Sequence, residues 1–79
     1  MKLMMAIVQD QCVPTLLERM TSHGFSVTKL ASTGGFLREG NTTIICGISD
    51  DQVEGFLEIV KSTCNATIFS LDVERFEKI

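Results

Sequence analysis

The feature that most restricts the fold is a helical pattern in residues 49–64, SDDQVEGFLEIVKSTC, between two strand-like segments. Ser49 and Gln52 have the spacing of a capping box, which marks a helix start. Apolar residues then recur at i, i+3, i+4 and i+7, as on one buried helix face: Val53, Phe56, Leu57 and Val60. NTTIICGI before the helix and ATIFSLDV after it are rich in β-branched residues, so each predicts a strand.

The N-terminal half of the chain shows the same order of strand, helix and strand. Residues 3–8 form a short continuous apolar run, which predicts a central strand covered on both faces. The next segment predicts a helix with Pro14 near its start and Gly24 just after its end. Residues 25–32, FSVTKLAS, predict the second strand.

The resulting order, strand-helix-strand-strand-helix-strand, is the split βαβ arrangement of a ferredoxin-like α+β fold. We therefore predict one domain over residues 1–79, a four-stranded antiparallel sheet with both helices on one face. A single core of this size rarely supplies more than roughly 3 to 5 kcal/mol of stability. Because the helices leave the other sheet face uncovered, symmetric association into a homo-oligomer is expected.

Composition excludes several classes of partner. The net charge is −3 and the sequence has no Lys/Arg run, which argues against binding to a nucleic-acid polymer. No apolar stretch approaches the length of a membrane span, so a cytoplasmic chain is expected. Cys12, Cys46 and Cys64 share no CxxC spacing and predict neither a disulfide framework nor a zinc site. We interpret them as small buried apolar residues.

The common enzyme templates do not fit this sequence, and neither a metal nor a cofactor is predicted. The sole histidine, His23, stands at a predicted helix end without an evident partner for nucleophilic catalysis. The acidic residues at 50, 51, 54 and 58 suit helix capping and a solvated helix face. An acyl phosphatase on this fold would need an arginine in a phosphate-cradling loop after the first strand, and VQDQCVP has none.

The segment from 32 to 41, STGGFLREGN, is longer than a tight hairpin turn needs, and we call it the glycine segment. Gly34 and Gly35 form neither a Walker loop nor a dinucleotide fingerprint. Their backbone amides could form a concave site for a phosphodiester. Alternatively, these glycines only supply positive φ angles for the hairpin connection.

Two large apolar residues in this segment, Phe36 and Leu37, favour a binding role. An aromatic ring beside an anion site could hold a purine, with Asn41 offering a donor and an acceptor. Arg38 could pair with the phosphate. The alternative is that Phe36 and Leu37 pack into a neighbouring subunit and bind no ligand.

Four segments together resemble the PII-like cyclic-di-AMP receptor family: KLMMAIVQDQ, TKLASTGGFLREGNTTIICGI, DDQV and ATIF, at matching spacing up to Cys64. The resemblance implies a cytoplasmic signalling protein without catalytic activity. It also implies a ferredoxin-like homotrimer that binds cyclic di-AMP between neighbouring subunits. A downstream protein partner would follow from such a role, but the sequence does not identify it.

The resemblance also implies ligand-binding positions: Thr28, Gly35, Phe36, Leu37, Asn41, Gly47 and Phe69. Thr28 would meet a phosphate, whereas Asn41 and the Gly47 backbone would read an adenine edge. Residues 35–37 would line the nucleotide, and Phe69 would close the pocket with an apolar wall.

Some positions depart from the family pattern. The long loop between the second helix and the last strand shrinks to residues 63–66, and Gly24 and Ser26 stand where many members carry Asn and Arg. Losing a guanidinium near a charged ligand costs about 1.5 to 3 kcal/mol, and Lys78 could restore part of the positive charge. The alternative function is therefore a structural or protein-interaction trimer that binds no nucleotide.

Overall fold

A computed structural model of the chain describes residues 1–30 and 40–79. Its elements, in chain order, are β1 (Lys2–Gln9), α1 (Val13–Ser22), β2 (Thr28–Leu30), β3 (Asn41–Ile48), α2 (Val53–Thr63) and β4 (Ala66–Asp72). Short 3₁₀ turns, Asp10–Cys12 and Asp50–Gln52, precede the two helices. The predicted βαββαβ order is therefore confirmed.

The four strands form one sheet in the order β2-β3-β1-β4, and every neighbouring pair is antiparallel. The long strands β1 and β3 lie at the centre, and Met5 of β1 stands between Ile45 of β3 and Phe69 of β4. This topology confirms the ferredoxin-like α+β fold. Neither helix in the described ranges is long and apolar enough to cross a membrane.

Both helices pack on one face of the sheet, and the core lies between these two layers. Its buried side chains come from alternate strand positions and from the inner helix faces: Met4, Ala6, Val8, Val13, Leu16, Met20, Ile44, Cys46, Ile48, Phe56, Ile59 and Val60. On β1 the intervening residues Leu3, Met5 and Ile7 are only half-buried. The expectation that β1 is covered on both faces therefore holds for one face within a single chain.

The predicted helix ends are confirmed. Pro14 lies in the first turn of α1, and Gly24 follows the helix with φ of 83°. The Gly24 amide donates to Thr21 and the Phe25 amide donates to Met20, the paired hydrogen bonds of a Schellman motif. The predicted capping box at Ser49 is present, with the Ser49 amide donating to Gln52 Oε1 over 3.0 Å, but it caps the 3₁₀ turn Asp50–Gln52 that leads into α2.

The second strand is shorter than predicted, because it begins only at Thr28. Phe25 does not extend it: its amide belongs to the end of α1, and its ring packs edge-on against Phe56 with centroids 5.9 Å apart. Val27 also packs against the core. Tertiary packing thus overrides the β propensity of this segment. Its predicted end, at 31 and 32, falls outside the described residues.

The cysteine prediction was right for Cys46 and wrong for the other two. Cys46 is buried in the core at 2% exposure. Cys12 and Cys64 instead form a disulfide across 52 positions of sequence, with their Cα atoms 6.1 Å apart. The register of the sheet explains this, because Val8 of β1 pairs with Ala66 of β4. The chain leaving β1 therefore meets the chain entering β4.

Candidate functional site

The sheet surface opposite the helices, which we call the open face, carries the candidate site. The strand register assigns to it a set of alternate residues: Leu3, Met5, Ile7, Thr28, Leu30, Asn41, Thr43, Ile45, Gly47, Thr67, Phe69 and Leu71. No helix of the described ranges packs on this surface. Phe69 and Leu71 are 48% and 49% exposed, so the surface combines apolar side chains with a few polar ones.

All four predicted site residues that the structure describes lie on the open face: Thr28, Asn41, Gly47 and Phe69. They come from β2, β3 and β4. They share one face because of the sheet register and not because they are close in sequence. The other four, Gly35, Phe36, Leu37 and Arg38, fall outside the described residues.

Thr28 and Phe69 stand at opposite ends of one row across the sheet. Thr28 pairs with Ile45, Ile45 with Met5, and Met5 with Phe69. Three strand spacings separate the two ends, which is about 14 Å. One ligand group therefore cannot contact both Thr28 and Phe69 of the same chain.

Asn41 and Gly47 are also far apart, since they stand near opposite ends of β3. Six residues of extended strand span about 20 Å. Asn41 and Gly47 of one chain thus cannot both contact the same adenine ring. They can serve opposite ends of one ligand, or ligands shared with different neighbouring protomers.

The backbone at Gly47 leaves room beside it. An added Cβ would meet only the Met1 Cε atom, at 3.9 Å, which is an ordinary van der Waals contact. The exposed strand position does not need glycine for its own conformation. A ligand or a neighbouring chain approaching the backbone at this point would explain the missing side chain.

The point where the glycine segment returns to the sheet is held by the turn after β1. The Asp10 amide donates to the Gly40 carbonyl over 2.9 Å, and the Thr42 hydroxyl donates to Asp10 Oδ1 over 2.5 Å. Gly40 has φ of 88°, which favours glycine there. Asn41 begins β3 directly after it and pairs with Gln9. Sequence reasoning missed the role of Asp10, which no local pattern signals.

Thr43 is a second residue that sequence reasoning missed. Its hydroxyl is buried and has no hydrogen-bond partner in the part of the chain that the structure describes. The residue lies on the open face between Ile7 and Leu30. Alternation along NTTIICGI could have assigned Thr43 to that face, since Asn41 occupies the same side.

A cleft of about 550 Å³ lies elsewhere, between α2 and the start of β4. Glu54, Glu58 and Lys61 line it together with apolar residues, and none of the predicted site residues does. Two carboxylates beside one ammonium group disfavour a phosphodiester there. We therefore place the candidate site on the open face.

One pair of opposite charges lies where one end of β1 meets the end of β4. Lys2 on β1 forms an ion pair with Asp72 on β4. The hydrogen bond to Asp72 raises the pKa of Lys2, and the same bond from Lys2 lowers the pKa of Asp72. Both groups are solvated, so the pair contributes little to stability.

Comparison with known proteins identifies the family of the chain. A model of the cyclic-di-AMP receptor family matches residues 1–66, from β1 to the first residue of β4. The chain belongs to the cyclic-di-AMP receptor family. Membership places it in a class of binding and signalling proteins. The matched range includes Thr28, Asn41 and Gly47 but ends before Phe69.

A solved structure extends the comparison to the whole chain. The crystal structure of a functionally unknown protein from Pediococcus pentosaceus ATCC 25745 is similar, with a TM-score of 0.87 and 35% sequence identity. The match covers 99% of this chain and 96% of that one. The similarity therefore extends through β4, beyond the range that the family model matches.

Proposed function

We propose that the protein is a signalling receptor for cyclic di-AMP or a related adenine nucleotide, bound between protomers of a homotrimer and without catalytic activity. The observation that carries this proposal is the common placement of Thr28, Asn41, Gly47 and Phe69 on the open face of a member of this receptor family. The glycine segment, which enters β3 at the same face, would supply the rest of the site.

The spacing of these residues supports a site shared between chains. A sheet surface buries little of a nucleotide unless a second surface covers it, whereas small-molecule sites usually enclose most of the ligand. Thr28 and Phe69 of one chain stand about 14 Å apart. A neighbouring protomer that covers the half-exposed Leu71 and Phe69 would also bring its own residues to the ligand.

The chemistry of the residues suits an adenine dinucleotide. The Thr28 hydroxyl and the backbone amides at 34 and 35 can donate to phosphate oxygens, and Arg38 can neutralise their charge. The Asn41 amide has one donor and one acceptor side, which complement the donor and acceptor of an adenine edge. Phe36 and Phe69 offer rings that can contact the base.

The second candidate, an interaction trimer without a nucleotide, is favoured by the short connection between α2 and β4. Only Cys64 and Asn65 separate these elements. Ser26, next to β2, also lacks the charge that a guanidinium would bring to a phosphate. Both candidates use the same trimer, so only a ligand measurement separates them.

Isothermal titration calorimetry of the purified protein with cyclic di-AMP tests the proposal, with ATP and cyclic di-GMP as controls. We expect selective binding with a Kd of micromolar or below and one ligand per chain. Absence of heat from a folded oligomer at high ligand concentration would favour the interaction trimer.

Gly47→Val tests whether the ligand lies on the open face. The structure leaves space for the side chain, so we expect the fold to be retained, while the added methyl groups project toward the ligand. Binding of cyclic di-AMP should weaken by at least about tenfold, which corresponds to 1.4 kcal/mol. Gly55→Ala, at an exposed position of α2, is the matched control and should bind as the wild type does. Wild-type affinity of Gly47→Val would contradict this placement.

A further inference from the structure

The disulfide lies where the two halves of the fold meet. Cys12 ends the 3₁₀ turn after β1 and precedes α1, whereas Cys64 directly follows α2. The bond therefore joins the starts of two elements, α1 and β4, that are far apart in sequence. The family-level function proposed above makes no use of this pair.

The pair is accessible from solvent. Both cysteines are partly exposed, and they line a surface cleft of about 340 Å³ together with Gln9, Gln11, Thr15, Thr63 and Asn65. Thiol-disulfide exchange requires that a thiolate reach one sulfur, and this cleft provides the approach. Cys46 differs: it is buried in the core, and burial raises the pKa of its thiol, so it is protected from exchange.

The surroundings suit the reduced form as well as the oxidised one. The Cys12 sulfur lies 3.3 Å from the Thr63 carbonyl oxygen, so a Cys12 thiol would have a hydrogen-bond acceptor after reduction. Cys12 also occupies the N-cap position of α1, where the helix dipole favours negative charge on the sulfur during exchange.

Two hydrogen bonds connect the turn before the disulfide to the end of the glycine segment. Two residues before Cys12, Asp10 binds both the Gly40 carbonyl and the Thr42 hydroxyl. Gly40 and Thr42 flank Asn41, the residue proposed to read adenine. While the disulfide holds the turn Asp10–Cys12 against the end of α2, it also keeps Asp10 in place to bind Gly40 and Thr42. Reduction removes that constraint from the turn.

We propose that Cys12 and Cys64 form a reversible redox site, and that its oxidised state stabilises the start of β3 for ligand binding. The second half of this inference rests on the proposed function; the first half does not. A dithiol reductant forms a mixed disulfide with one cysteine and then closes its own ring. The protein gains two thiols by a two-electron reduction, and the reductant becomes a cyclic disulfide. Oxidised glutathione re-forms the protein disulfide through a mixed disulfide and is itself reduced to two molecules of glutathione.

Counting thiols tests the redox site without any nucleotide. After equilibration with oxidised glutathione and unfolding in denaturant, a maleimide should label one cysteine, Cys46. After treatment of the folded protein with dithiothreitol, it should label Cys12 and Cys64 in the native state while Cys46 stays protected. Three reactive thiols after the oxidising treatment, or a disulfide that dithiothreitol does not reduce in the folded protein, would overturn the redox site.

Thermal unfolding provides a second readout of the bond. Because the disulfide closes a long loop, we expect the oxidised protein to melt roughly 10 to 20 °C above the reduced protein. Cys12→Ser and Cys64→Ser should melt like the reduced wild type under both conditions. Cys46→Ala is the control and should keep the redox-dependent difference. Equal melting temperatures of oxidised and reduced wild type would contradict a constraint on the fold.

Titration of cyclic di-AMP into both forms tests the coupling. We expect the oxidised protein to bind roughly five- to tenfold more tightly, with Cys12→Ser matching the reduced wild type. Equal affinities of the two forms would overturn the coupling. The thiol count alone would then decide whether the redox site exists. If neither form binds the nucleotide, the proposed function fails and the coupling with it, whereas the labelling result still decides the redox site.

Discussion

Replacement of Phe56 by alanine should lower the free energy of unfolding by about 3 to 5 kcal/mol. Phe56 is 0% exposed at the centre of the core, and its ring meets Phe25 edge-on. Truncation removes apolar contacts with both layers and leaves a cavity that the sheet cannot close. A domain of this size has a stability of the same order, so the variant should be largely unfolded near 37 °C.

Urea unfolding followed by circular dichroism measures this loss. Phe76→Ala is the matched control, because Phe76 is 68% exposed and follows the last strand. We expect the control to change stability by less than about 0.5 kcal/mol. A Phe56→Ala variant as stable as this control would mean that the core between helices and sheet is not the main source of stability.

Replacement of Leu71 by glutamate should dissociate the proposed trimer. Leu71 lies on the open face, half-exposed in one chain and paired in register with Leu3. If a neighbouring protomer covers this face, each trimer buries three new carboxylates without partners, at a cost on the order of several kcal/mol per ion. Sedimentation velocity should show three times the 8.7 kDa chain mass for the wild type and a single chain mass for the variant.

Ser70→Glu provides the control for charge. Ser70 is the neighbouring exposed residue of β4, and its side chain points to the helix side of the sheet, opposite Met4. The same carboxylate should stay solvated there and leave the assembly intact. A Leu71→Glu variant that sediments like the wild type would show that the open face is not the interface, and the inter-subunit site would lose its support.

The two variants test different contacts, those within one chain and those between chains. Phe56 acts within one chain, so its replacement should reduce stability whether or not chains associate. Replacement of Leu71 should affect only the association of chains, because the fold of a single protomer does not need its side chain. Loss of cyclic di-AMP binding in a folded Leu71→Glu monomer would further support a ligand site built from more than one chain.

Much of the candidate site can be predicted from the residues themselves. The glycine segment with Phe36 and Leu37 indicated a ligand-binding loop, and the resemblance added Thr28 and Phe69, which no local pattern connects. The structure brought the described members of this set to one face. It also separates Asn41 from Gly47, which the resemblance assigns to one adenine edge, because five residues of strand lie between them.

The order of elements and the ends of the helices can be predicted from local sequence. These features depend on interactions within a few residues: the apolar spacing of α2, the capping box at Ser49 and the positive φ at Gly24. Three features needed the folded chain: Phe25 packs into the core instead of extending β2, Cys12 bonds to Cys64, and a particular set of residues shares the open face. Each of these depends on the register between segments far apart in the chain, which local periodicity does not encode.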